Sequence, residues 1–397
     1  MKYSAKKKRE SHNDGSVFFK QVNGEDEKMN REDSIKLLQE MLGIYSPSRK
    51  EEKLAAFLRG KFEILGFGNV WNDKAGNIYG EIGSGYPTVL LCGHMDTVPG
   101  WIPVRIENGK LYGRGAVDAK SSLAAMICAA SSLTPVKGKG RVIVAGVVEE
   151  ERKAKGIRQL IREGLSVEYA VFGEPSGLRN ITFAYKGKIG LTVTCKTVSG
   201  HVGAQHLLDN AIEKSFELWR NIKDHCRERQ SPHGIFYSLT PSLVNIKSRR
   251  TSGGIPDVSI LEIDIRLPPT VKPNMVADII KNVIEKFQAA NPSVTISTKI
   301  TDSVQPFVAR RQTPVMNALK KAILEVTGGP VKFLRKTGTG DMNIFGAQTR
   351  IPVATYGPGD ASLSHTPYER IDLTEYLASI QVYKKATEFL LSGVDID

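Results

Sequence analysis

Thr88-Val89-Leu90-Leu91-Cys92-Gly93-His94-Met95-Asp96-Thr97-Val98-Pro99 is an apolar run that ends in glycine, then offers a histidine and an aspartate two residues apart. A short, continuous apolar run suits a strand buried on both faces, as in a parallel sheet. In open α/β sheets, ligands gather just beyond the carboxyl ends of such strands. Alternation along an extended chain directs the side chains of His94 and Asp96 to the same side. Neutral imidazole is the commonest metal ligand, and a nearby carboxylate fixes its tautomer and raises its basicity. For this pair alone the plainer reading is a hydrogen-bonded loop histidine, so the rest of the chain has to decide.

The design recurs. Tyr112-Gly113-Arg114-Gly115-Ala116-Val117-Asp118 precedes a small-residue stretch that predicts a helix over 121–133, where Asp118 has a plain role as N-cap. Residues 141–148 form another buried-strand run and end in Glu149-Glu150-Glu151. Three acids crowded after an apolar strand face either water or a cation. Tyr169-Ala170-Val171-Phe172-Gly173-Glu174-Pro175-Ser176 again places a carboxylate after a strand and a glycine. A last strand and turn at 351–359 is followed by His365.

Around these strands the apolar spacing predicts helices over 34–43 (capped by Asp33), 51–65, 314–326 and 373–391, with strands near Val70 and Ile78. The rhythm changes after Gly187: strand 190–198, helix 210–226, strands 234–246 and 258–267, helix 275–290, strand 294–300. That βαββαβ order matches a ferredoxin-like module. The expected organisation is a flexible basic extension over 1–28 and a catalytic domain split into 29–186 and 301–397. A ferredoxin-like α+β domain at 187–300 is inserted into it. The fold class is α/β, with a mixed sheet whose core is mostly parallel and is flanked by helices.

Composition bounds the function. At 397 residues two domains are the prior, and no run approaches the ~20 apolar residues of a membrane span. The N-terminus lacks a secretory apolar core. Cys92, Cys128, Cys195 and Cys226 are scattered, which suits reduced thiols in a cytoplasm rather than a disulfide framework. The net charge of +13 and pI near 9.4 point to an acidic partner: nucleic acid, an anionic membrane or an acidic protein. A nucleic-acid reader interleaves aromatics with its basic patch, and Lys6-Lys7-Lys8-Arg9 has none.

Singly, each polar strand end has an ordinary explanation. Jointly, His94, Asp118, Glu151, Glu174 and His365 are five nitrogen or oxygen donors at separate ends of one inferred sheet. Two divalent cations sharing a bridging carboxylate need about that many protein ligands. Mixed histidine and carboxylate donors without thiolate suit zinc, with cobalt or manganese as substitutes. Glu150 is then a spare carboxylate, placed to take a proton from the attacking water and pass it to a leaving amine. The chemistry is metal-assisted amide hydrolysis.

Gly93-His94-Met95-Asp96-Thr97-Val98-Pro99, Gly113-Arg114-Gly115 through Asp118-Ala119-Lys120, Glu150-Glu151, Gly173-Glu174-Pro175-Ser176 and the late His365 resemble the aminoacylase/carboxypeptidase-like dizinc family. The resemblance covers roughly residues 30–395 and implies a zinc-exopeptidase-like fold. It implies Asp118 as bridging ligand, His94 and Glu174 on one zinc, and Glu151 and His365 on the other. It also implies Glu150 as general base, Asp96 as the carboxylate orienting His94, and the inserted 187–300 domain as a lid and dimerisation module through which a homodimer forms. His201 would reach the partner subunit's site to stabilise the oxyanion, and Arg266 would contact the substrate carboxylate, with Gly340 also at the substrate. Residues 335–343 and 354–359 look most like the branch that releases lysine from an acidic amino-group carrier protein, with ornithine as an alternative amine. Glu149 replaces the aspartate usual before the Glu-Glu pair, and Ser252-Gly253-Gly254-Ile255-Pro256 lacks the usual lid asparagine. Competing readings are the same chemistry on a free N-acyl diamino acid or a dipeptide, and a non-catalytic binding protein. The last should lack a ligand or the base, and here all are present.

Overall fold

The computed structural model describes residues 29–134, 138–252 and 254–393; the basic extension expected over 1–28 lies outside the described residues. At the centre is a mixed sheet, nine-stranded among the described residues. Its order is Asn69–Asn72, Ile78–Gly85, Lys139–Val147, Thr88–His94, Tyr169–Gly173, Val353–Tyr356, Asn180–Tyr185 and Phe307–Val308, with Lys332–Lys336 also on Asn180–Tyr185. The four middle strands, Lys139–Val147 to Val353–Tyr356, run parallel to one another. Antiparallel strands finish both sides. Thr88–His94 lies in the middle and is buried at every position, as its unbroken apolar run predicts.

Helix Lys120–Ser131 packs on this strand with all twelve residues buried. The close approach depends on glycine at a strand end: a Cβ on Gly173 would sit 2.9 Å from Ser122 Cβ. Lys120, buried at the helix start, donates to the carbonyls of Met41 (3.0 Å) and Ile44 (2.7 Å) at the end of helix Arg31–Gly43. Leu91 is 1% exposed between two parallel neighbours. Leu91→Ala is expected to cost about 2–5 kcal/mol, read as a lower midpoint at unchanged slope in denaturant titration.

A second, four-stranded antiparallel sheet has the order Thr240–Arg249, Val258–Leu267, Gly187–Lys196, Thr295–Val304. Helices Ala211–Arg227 and Pro273–Ala290 cover one face over a separate apolar core that includes Val193, Leu218, Ile263 and Ile280. Strand order and connections are ferredoxin-like. Local boundaries shift from those read in the sequence. The first helix is Arg31–Gly43, capped by Asn30, whose side chain takes the Asp33 amide, so Asp33 lies in the first turn. Residues 234–246 divide into a 3-10 turn, Ile235–Tyr237, and a strand, Thr240–Arg249. Among the described residues no helix is long and apolar enough to cross a membrane.

Candidate metal centre and active site

Four side chains predicted to work together are delivered by three adjacent parallel strands. His94 is the last residue of Thr88–His94, Glu150 and Glu151 follow Lys139–Val147, and Glu174 follows Tyr169–Gly173. His365 comes from the loop after Val353–Tyr356, the fourth strand of the parallel set. Asp118 is not the N-cap of the helix it precedes; that position is Ala119, with no side-chain cap. Its carboxylate instead lies between two histidines, Oδ1 3.3 Å from His94 Nε2 and Oδ2 3.4 Å from His365 Nε2. His94 Nε2 is also 3.7 Å from Glu174 Oε1, and His365 Nε2 is 2.9 Å from Glu151 Oε1.

These atoms resolve into donor groups whose members lie within 4.8 Å of one another. One comprises His94, Asp118 and Glu174, a second Asp118, Glu151 and His365, and Asp118 is common to both. A third, His94, Glu150 and Glu151, reuses two donors already assigned. A pair of cations held by the first two groups, with Asp118 common to both, would use five side chains and leave Glu150 free. Mixed imidazole and carboxylate donors with no thiolate fit zinc and its divalent substitutes.

The electrostatics fit the same groups. Burial first, then the charge of Glu174, pushes the Glu150 carboxyl well above its ordinary value. Burial and Asp118 push Glu174 to about 7. Burial resists charging of His94, but Asp118, Glu150 and Glu174 together raise it well above normal. Hydrogen bonds to Asp118 and Glu151 lift His365 to about 10. Crowded acids held near their protonation range are stabilised in the charged form by a divalent cation among them.

Asp96 lies behind His94 and has further partners of its own. His94 Nδ1 meets the backbone carbonyl of Asp96 at 2.8 Å, while the Asp96 carboxylate lies 3.6 Å away. That carboxylate accepts from the backbone amides of Glu150 (3.0 Å) and Glu151 (3.1 Å) and from Ser48 Oγ (2.6 Å). It thus orients the turn that carries both glutamates. The turn is strained: Glu149 has φ 54°, Ala154 φ 50°, and His365 opposite has φ 64°. Positive φ in non-glycine residues clusters at functional sites.

A cleft of about 320 Å³ opens beside the glutamates, lined by Glu150, Glu151, His365, Arg266 and Gly340 among others. Arg266 projects from the second sheet, paired with Asp264 at 2.7 Å and 3.5 Å from Thr339 Oγ1. His201 is exposed on the same module, its ring accepting from the Gly203 amide, and does not line this cleft.

Sequence reasoning missed Glu369. Its Oε1 accepts from the amides of Val117 and Asp118, and its Oε2 pairs with Arg114 at 2.9 Å, so it holds the loop that presents Asp118. Its place four residues after His365 was the available signal. Asp341, whose buried Oδ1 has no hydrogen-bond partner among the described residues, was also missed. Burial pushes it up to about 8, with Glu174 and Asp96 adding to the effect and His94 opposing it.

The model of peptidase family M20/M25/M40 matches residues 90–388. A protein from Deinococcus radiodurans named LysW-lysine hydrolase is 34% identical over 364 residues, 90% of this chain and 97% of the relative. One from Saccharolobus solfataricus named LysW-lysine/LysW-ornithine hydrolase is 33% identical over 89% of this chain and 95% of its own length. Among solved structures, the dipeptidase Dug1p of Saccharomyces cerevisiae superposes with a TM-score of 0.77 at 16% identity, covering 92% of this chain and 97% of its own. The fold, the order of the motifs and the extent of the match agree: this chain belongs to peptidase family M20/M25/M40 and is a metal-dependent hydrolase.

Proposed function

We propose that this chain releases lysine, and ornithine as a second amine, from an acidic amino-group carrier protein. The scissile bond would be the amide between the amino acid's α-amino group and the side-chain carboxyl of the carrier's C-terminal glutamate. The observation that carries the reading is the pair of donor groups sharing Asp118, with Glu150 left beside them at a cleft that Arg266 also lines. Curated relatives named for LysW-linked lysine or ornithine support the substrate.

His94 and Glu174 would hold one zinc, Glu151 and His365 the other, and Asp118 both, with cobalt as a substitute. When bound, such a pair supplies Lewis acidity toward the scissile carbonyl and the attacking water. Glu150 takes the proton of that water and delivers it to the departing α-amine. Asp96 holds the backbone of Glu150 and Glu151 in place. Arg266 takes the carboxylate of the leaving amino acid, with Gly340 lining the same cleft.

The ferredoxin-like module, over 187–300, acts as lid and dimerisation domain. Its strand Thr240–Arg249 is a sheet edge with Val244 and Ile246 exposed, a surface suited to a second copy. His201 would then serve the partner subunit's site. Four buried free cysteines suit a reducing cytoplasm.

The basic balance supplies the test. Arg152, Lys153, Arg158, Lys188 and Arg266 line the cleft, and Arg310 is exposed. Lys186 is not part of this rim: its ammonium is buried and bonded to Ile235 O, Ser238 O and Thr240 Oγ1. An acidic carrier steered by such a surface loses association rate as salt screens it, with a Debye length of about 8 Å at physiological ionic strength. The lysyl-carrier should be hydrolysed with a kcat/KM that falls steeply with salt, while an N-acetyl diamino acid changes little. Turnover of the small substrate and none of the carrier would replace this reading with a deacetylase.

A further inference from the structure

The chain passes between the two sheets twice. Lys186 joins strand Asn180–Tyr185 of the main sheet to Gly187–Lys196 of the second, and Gln305 with Pro306 leads from Thr295–Val304 back to Phe307–Val308. The crossings are pressed together, for a Cβ on Gly187 would lie 2.6 Å from both Pro306 N and Val304 O. One side chain bonds to both. Asn343, fully buried in helix Asp341–Gln348, donates from Nδ2 to Lys186 O at 3.0 Å and to Gln305 O at 3.1 Å. Its Oδ1 accepts from the amide of Gly340 at 3.0 Å.

We infer that Asn343 is a positioning residue that sets the pose of the ferredoxin-like module over the metal centre. The argument is one of connectivity. Among the described residues the chain joins the module to the main sheet at these two crossings, and Phe236 of the module packs into the main core nearby, so the mutual geometry of the crossings bears on where Arg266 stands. The same amide group fixes Gly340, at the end of the loop Gly338–Gly340 that lines the cleft beside Arg266. Asn343 therefore holds in one register Arg266 and the adjacent loop, against which the leaving amino acid would sit. Both of its N–H groups donate and its oxygen accepts one bond. Aspartate, the isosteric replacement, retains only the acceptor and sets a carboxylate against two carbonyl oxygens. Lys186 adds a second grip, its ammonium bonded to Ile235 O, Ser238 O and Thr240 Oγ1 of the module. The crossing residue is thus held by Asn343 through its backbone and by the module through its side chain.

The test combines distance and rate in the metal-loaded full chain. Spin labels on Glu63→Cys in the main body and Lys281→Cys in the module report their separation; both positions are exposed, and the four native cysteines are buried. Asn343→Asp should keep both metals and a wild-type melting temperature within a few degrees. Its label distance should broaden or shift, and kcat/KM should fall about 10²-fold, the scale of a 1 Å misplacement. Gly187→Ala, which leaves Asn343 intact and wedges the crossings apart, should shift the distance in the same assay and carries the test if Asn343→Asp does not fold. A wild-type distance distribution in whichever variant is folded overturns the inference, as does a changed distance with unchanged kcat/KM. The rate arm rests on the proposed amide hydrolysis, whereas the distance arm does not, so failure of wild type to cleave the carrier amide leaves the positioning claim separately judged.

Discussion

Glu150→Gln is expected to lower turnover by roughly 10²–10⁴-fold, the usual cost of removing a positioned general base, while two metals per chain remain bound. The geometry explains the size of the effect. Glu150 stands at the end of a buried parallel strand, with its amide held by Asp96 Oδ1 at 3.0 Å. Burial and the neighbouring Glu174 charge favour its protonated form, and a divalent cation held nearby would restore the balance toward the carboxylate. Glutamine has the same shape and cannot accept that proton. The test is turnover at saturating substrate together with elemental analysis of the same sample. Near-normal turnover in the metal-loaded variant would remove Glu150 from the proton transfer. Loss of metal would make it a ligand, through the group it forms with His94 and Glu151.

Asp118→Asn should be more damaging still, with fewer than two metals retained and turnover below that of Glu150→Gln. Asp118 is the only donor common to the two groups containing Glu174 and His365. Its two oxygens face His94 and His365 separately, at 3.3 Å and 3.4 Å. An amide offers one weaker oxygen and a donor nitrogen, so one of the two sites loses its bridge. Glu174→Gln, by contrast, touches one group and should cost one metal. Retention of two metals by Asp118→Asn, measured before and after dialysis against a chelator, would show that the carboxylate does not bridge. Glu369→Gln should give a weaker version, since outer contacts that orient a ligand typically contribute 10–100-fold in metal affinity or activity.

Much of this architecture follows from local pattern. Thr88–His94 had to be a fully buried strand because every residue before Gly93 is apolar or β-branched, and the final histidine had to stand at the strand's carboxyl end. The βαββαβ rhythm after Gly187 carried the ferredoxin-like order, because alternation and helical spacing are properties of short windows. Spacing also identified the carboxylates after each parallel strand. It did not determine what they touch. Asp118 is an equally good helix cap by sequence. It became a neighbour of two histidines because the fold brings His365, 247 positions later in the numbering, to the same point. Helix Lys155–Glu163 and strand Asn180–Tyr185 were not read from the sequence, and the strand's pairing with Lys332–Lys336 is made across about 150 residues. Glu369 under the Asp118 loop, Asp96 beneath the two glutamates, Lys186 withdrawn from the basic rim and Asn343 between the crossings are all partnerships of distant residues. Amino-acid type and spacing specify which groups stand at the ends of strands; only the packing of strands from remote parts of the chain specifies which of those groups meet.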